Sequence, residues 1–113
     1  MIEAWKSQLR KGAAELAVLA VLDKGDAFGV AILDTIESGD GVGVSEGALY
    51  PLLKRLETGG RIQSYWSEPD GAAAPRKYYR LTGEGQDALR AMRDAWTSFR
   101  QRMDEIVGAS HDT

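Results

Sequence analysis

Four cationic side chains stand in two adjacent pairs, Lys54-Arg55 and Arg76-Lys77, and the first pair follows Ser45, Gly47 and Tyr50. Residues of these types suit the recognition of an anionic polymer. Lysine and arginine neutralise phosphates or bond guanine edges, hydroxyl groups add short hydrogen bonds, and glycine lets a backbone approach closely. Covalent and metal chemistry are poorly served by contrast. The 113-residue chain has no cysteine, and its one histidine, His111, lies within the last three residues. Disulfides and thiolate sites are excluded, and a histidine-centred triad or zinc site would rest on a chain terminus. Asp23, Asp26, Asp34, Glu37 and Asp40 are spread over helix exteriors and loops, with no pair set as general acid and base. We therefore expect no catalytic residue, no metal ligand and no cofactor.

The net charge of −3 argues, taken alone, against a nucleic-acid partner. Its distribution argues otherwise. Residues 1–50 carry four basic and eight acidic side chains (−4), 51–82 carry six and three (+3), and 83–113 carry four and six (−2). The positive block contains both cation pairs. With 43% hydrophobic and 27% charged residues the chain reads as one ordinary globular unit, small enough for oligomerisation to supplement its core. The longest apolar run, Leu16 to Leu22, is far short of the ~18 residues of a membrane span. The first residues lack the basic-then-apolar order of a signal peptide, so a cytoplasmic protein without a membrane partner is expected.

The cation pairs act only if secondary structure holds them in place. Ile2, Trp5 and Leu9 predict a short amphipathic helix ending near Lys11-Gly12, and the apolar run from Ala13 to Leu22 predicts a second, buried one. Asp26 is placed to cap a third helix, Ala27 to about Ser38, and Gly39 to Gly43 read as a loop. Those glycines lack the Gly-Lys-Ser/Thr ending of a phosphate-binding loop. Ser45 caps a fourth helix running to Thr58 and closed by Gly59-Gly60. Its Leu49, Leu52, Leu53 and Leu56 share one arc, while Gly47, Tyr50, Pro51, Lys54, Arg55 and Thr58 cover the other. Pro51 is expected to kink or delay the first turn.

The period then changes to two. Ile62 to Ser67 and Lys77 to Leu81 predict a hairpin with a long tip, Glu68 to Pro75, and Trp66 is read as its anchor to the core. Of Tyr78 and Tyr79, one must face inward. Thr82 caps a last helix, Gly83 to Val107, on which Leu89, Met92, Trp96, Phe99, Met103 and Ile106 recur at spacings of three and four. A stripe that narrow wants a second helix. Together with Trp5 and Leu9 it predicts a two-fold dimer interface. Helices followed by a hairpin whose returning strand starts Arg76-Lys77 have the order of a winged helix-turn-helix. The expected fold is mainly α with a small β-hairpin: residues 1–82 form the DNA-binding part and 83–113 a dimerisation helix and tail, in one compact unit. Ser45, Gly47, Tyr50, Lys54 and Arg55 would meet a major groove, with Arg76 and Lys77 on the flanking backbone. A winged-helix module that binds proteins instead is the competing reading.

Four blocks carry a family resemblance: Gly12 to Leu19, Phe28-Gly29-Val30-Ala31-Ile32, Glu46 to Glu57 (EGALYPLLKRLE) and Arg76 to Gly85 (RKYYRLTGEG). Across roughly residues 10–100 the chain resembles PadR transcriptional regulators, in their compact form with a single C-terminal helix. The resemblance implies a homodimeric repressor of an inverted-repeat operator, released by a small molecule. It also implies that a flat aromatic effector lodges between the last helices at Trp96, with Met92 and Phe99 nearby; on the residues alone, Trp96 reads equally as interface packing. Ala48 and Phe28 depart from the threonine and tyrosine frequent in the family, each removing a hydroxyl.

Overall fold

A computed structural model describes residues 2–37, 44–68 and 74–108. The elements follow the order α1 (Ile2–Asp23), β1 (Ala27–Phe28), α2 (Gly29–Glu37), α3 (Glu46–Thr58), β2 (Ile62–Trp66), β3 (Lys77–Leu81) and α4 (Gly83–Val107). The three antiparallel strands lie in the order β1-β3-β2. The core collects Val18, Leu19 and Leu22 of α1, Ile32 and Ile36 of α2, and Leu49, Leu52, Leu53 and Leu56 of α3. Val44, Ile62, Tyr79 and Leu89 complete it. Only the first turns of α4 belong to this body. Its radius of gyration, 16.1 Å, exceeds the ~13 Å of a compact chain this long, because α4 and the start of α1 extend outward as an arm.

Several expectations need correcting. The first two helices are one: α1 runs unbroken through Gly12, whose Cβ position is open. A single glycine costs a helix about 1 kcal/mol, and without a proline or an N-cap residue beside it the break does not form. The third helix starts at Gly29, because Ala27 and Phe28 pair with Tyr79 and Tyr78 and so cover an otherwise open edge of β3. Asp26 does not cap it; the Asp26 carboxylate accepts a hydrogen bond from the Tyr65 hydroxyl at 2.6 Å. Trp66 is no anchor either. It is 67% exposed, since β2 outruns the body it packs on.

The element bounds nearest the cation pairs follow their caps. Ser45 Oγ accepts the Ala48 N–H at 3.2 Å, and α3 continues from Glu46 through Pro51 without delay. At its end Gly60 takes φ +81°, and the N–H groups of Gly60 and Arg61 return to the carbonyls of Glu57 and Leu56. Thr82 starts α4: its Oγ1 accepts the Gly85 N–H at 3.0 Å and donates to the Gly60 carbonyl at 2.6 Å. Gly85 must be glycine, because a Cβ there would lie 2.0 Å from the Arg61 carbonyl oxygen. The wing and α4 are thereby fastened to the end of α3. The loop expected at Gly39 to Gly43, most of the hairpin tip and His111 lie outside the described residues.

Candidate nucleic-acid interface

On α3 the two arcs separate as the spacing requires. The four leucines are buried, while Ser45, Gly47, Tyr50, Lys54 and Arg55 are exposed. Tyr50 is nevertheless held. Its ring lies over the first residue of α2, where a Cβ on Gly29 would sit 2.5 Å from the phenol oxygen. The absent side chain of Gly29 thus makes the seat for Tyr50, and the phenol leans on the start of α2 instead of reaching freely into solvent. The exposed Glu46 in the first turn suits the positive end of the helix dipole.

The wing divides the second cation pair between its two faces. On one face the ladder sets Ile62 against Leu81, Ser64 against Tyr79, and Trp66 against Lys77. Ser64 Oγ donates to Glu57 of α3 at 2.5 Å, so this face looks toward α3, and Tyr79 is the tyrosine that enters the core. Burial, with Glu57 and Tyr50 nearby, raises the Tyr79 pKa above the ordinary phenol value. On the other face Tyr65 stacks on Tyr78 at 5.8 Å between centroids, and Tyr78 meets Phe28 edge-on at 5.5 Å. Arginines close both ends of this row. Arg76 lies over the Phe28 ring at 4.4 Å and Arg80 over Tyr65 at 5.2 Å. Arg76 and Lys77 therefore point to opposite sides of the strand, Arg76 preset by an aromatic ring.

Two exposed wing residues, one on each face, are not among the expected contacts. Arg80 shares the parity of Arg76 and Tyr78, and the period of two along β3 marks it. Trp66 has no such sequence signal, because its parity is that of core residues and only the length of the hairpin exposes it. Arg61, also in the positive block, is committed elsewhere: it pairs with Glu15 and ties the base of the wing to α1.

The seam residues form a second region. Leu89 is 1% exposed within one chain, so it belongs to the core and has no surface for a dimer contact, contrary to expectation. Met92 is half-buried against the same core. Beyond it Trp96, Phe99, Met103 and Ile106 are exposed, as are Trp5 and Leu9 on α1. Between the two helices lies an open cleft of about 1200 Å³, lined by Trp5, Leu9, Ala13, Leu16, Met92, Ala95, Trp96 and Phe99 among others. Among the described residues no cluster of histidine, cysteine or carboxylates is placed to hold a metal ion. Nor is any helix among them long and apolar enough to cross a membrane.

Residues 18–91 match the model of the transcriptional regulator PadR-like family, which takes in α3 and the whole wing. The chain belongs to the PadR family. Solved structures of similar proteins agree with this PadR fold over almost the whole chain. A PadR family transcriptional regulator from Eggerthella lenta is 30% identical, with 96% of this chain and 94% of that one covered at a TM-score of 0.79. A PadR family regulator from Clostridium difficile is also 30% identical, covering 84% and 98% at a TM-score of 0.76. A PadR-like transcription factor from Bacteroides fragilis is 34% identical, covering 91% and 98% at 0.72. The small sheet with its helices is thus the PadR winged helix, a fold of DNA-binding transcription regulators and not of enzymes.

Proposed function

We propose that this PadR protein is a homodimeric repressor that reads an inverted-repeat operator with α3 and the wing. The observation that carries the dimer is the uncovered apolar stripe. Trp96, Phe99 and Ile106 of α4, with Trp5 and Leu9 of α1, face water in a single chain, and a run of large side chains at seam spacing is worth burying only against another helix. A second copy brings the same stripe and closes a two-fold interface. Each α3 then enters a major groove, with Ser45, Gly47 and Tyr50 at the helix start. Lys54 and Arg55 bind phosphates or guanine edges, and Arg76 and Lys77 grip the flanking backbone from the two sides of β3. Bound dimer on the operator excludes transcription.

The cleft between α1 and α4 supports release by a planar aromatic effector. Its wall carries Met92, Trp96 and Phe99, the last two with ring centroids 6.2 Å apart, and its apolar lining suits a flat ring system. Such a ligand works only by favouring a subunit arrangement whose recognition helices no longer match the half-site spacing. The experiment is direct. Operator fragments are selected from genomic DNA with the purified protein, and Lys54→Ala and Tyr50→Ala are compared with wild type on them. Weakened binding with the dimer intact supports the recognition surface, and unchanged affinity overturns it. For the effector, Trp96→Ala abolishes fluorescence quenching by planar aromatics; undiminished quenching moves the pocket elsewhere.

A further inference from the structure

Trp66 is the most exposed aromatic residue of the wing, yet it stands on the strand face whose members nearer the base, Ile62, Ser64 and Tyr79, turn inward. Ile62 is buried, Ser64 bonds Glu57 of α3, and two residues further out on the same face Trp66 emerges past the last core pair, Ser64 and Tyr79. Its ladder partner is Lys77. The hairpin therefore overhangs the α3 side of the molecule, and the overhang carries a large apolar ring beside a cation. A lone exposed hydrophobic residue on a protein surface is ordinary. This one differs in its company. The Lys77 ammonium lies over the Tyr79 ring at 5.8 Å on the same face, and an exposed indole with a cation on one face matches a surface that alternates apolar deoxyribose with anionic phosphate; α3, which this face meets at Glu57, presents the further cations Lys54 and Arg55.

We infer that Trp66 packs on the sugar–phosphate backbone of duplex DNA beside the groove that α3 enters. The indole face covers a deoxyribose, Nε1–H donates to a phosphate oxygen, and Lys77 neutralises the neighbouring phosphate. The inference rests on the DNA-binding reading of α3 and adds to it a contact that no charge count reveals. Because Trp66 is uncharged, its contribution does not release counterions and is insensitive to salt, whereas that of Lys77 is salt-dependent.

The test uses the full-length chain and a fluorescein-labelled mixed-sequence duplex of about three helical turns, followed by anisotropy over a range of salt concentrations. Wild type, Trp66→Ala, Trp66→Phe and Lys77→Ala are compared, with circular dichroism confirming that each is folded. Trp66→Ala is expected to weaken binding about five- to tenfold, with the slope of log affinity against log salt unchanged. Lys77→Ala flattens that slope by about one. Trp66→Phe keeps the apolar face and most of the affinity, but loses the part of the DNA-induced tryptophan quenching that wild type shows. Wild-type binding with unchanged affinity in Trp66→Ala, or with equal quenching in Trp66→Phe, overturns the inference and leaves the role of α3 standing. No saturable duplex binding by wild type overturns both.

Discussion

The ring of Tyr50 on α3 occupies the space that a side chain on Gly29 of α2 would fill. Two of the three core helices are locked together at this point, and the side of α3 that carries the candidate contacts is oriented by it. Gly29→Ala forces the phenol, the free end of a partly exposed side chain, to swing away, and costs up to about 1 kcal/mol of stability. Denaturant unfolding measures the loss. Combining Gly29→Ala with Tyr50→Ala recovers most of it, because the clash needs both side chains; strict additivity of the two changes would contradict the contact.

Gly85 marks a tighter approach than Gly29. A Cβ there meets backbone, the Arg61 carbonyl oxygen, which has no rotamer to yield. Gly85→Ala is expected to cost at least about 3 kcal/mol. The neighbouring Gly83 has open space around its Cβ position, and Gly83→Ala serves as the control. It changes stability little or raises it, since alanine suits a helix better. Comparable melting temperatures for the two variants would contradict the docking of α4 on the α3–β2 turn.

Tyr65 reports on the outer face of the wing. The hydrogen bond to Asp26, helped by burial, raises its phenol pKa above the ordinary value. The folded phenol holds its proton more tightly than the unfolded one. Its contribution is therefore intact below about pH 10 and is lost as pH rises through the higher folded value. In Asp26→Asn the phenolate absorbance of Tyr65 develops at lower pH than in wild type. An unchanged titration would show that the bond does not hold the proton.

The uncovered stripe predicts its own disruption. Phe99→Asp places a charge where a second subunit is expected to close over α4, and burying an unpaired charge is costly. Sedimentation of the variant should show monomers at concentrations where wild type is dimeric. The core, to which Phe99 does not belong, keeps each chain folded. Identical sedimentation of the two proteins would remove the dimer reading.

Much of this architecture is readable from residues that act locally. Ser45, Thr82 and the Gly59-Gly60 pair bound α3 and α4 because caps and left-handed turns are decided by the nearest few residues. The leucine arc of α3 and the period of two along the wing are likewise local. What escapes is set by distant partners. β1 exists because β3 offers an edge to Ala27 and Phe28, and the helical spacing of Phe28 and Ile32 conceals it. Gly12 looks like a helix end and is only a weak point in a long helix. Leu89 and Trp96 share one stripe, but the stripe crosses from the core of one chain to open surface, and that boundary depends on where the body ends. Trp66 is misjudged for the same reason, since a strand's parity gives the side of the sheet and not how far the core extends beneath it.

A dimer that reads an inverted repeat holds two recognition helices at a fixed separation on DNA. Hydroxyl-radical footprinting of wild type on a selected operator tests it most directly. Two protected regions related by two-fold symmetry, with centres about one helical turn or a multiple of it apart, are expected. Both should vanish together in Lys54→Ala at the same protein concentration. Protection of a single half-site, or a footprint that Lys54→Ala leaves unchanged, would contradict the account.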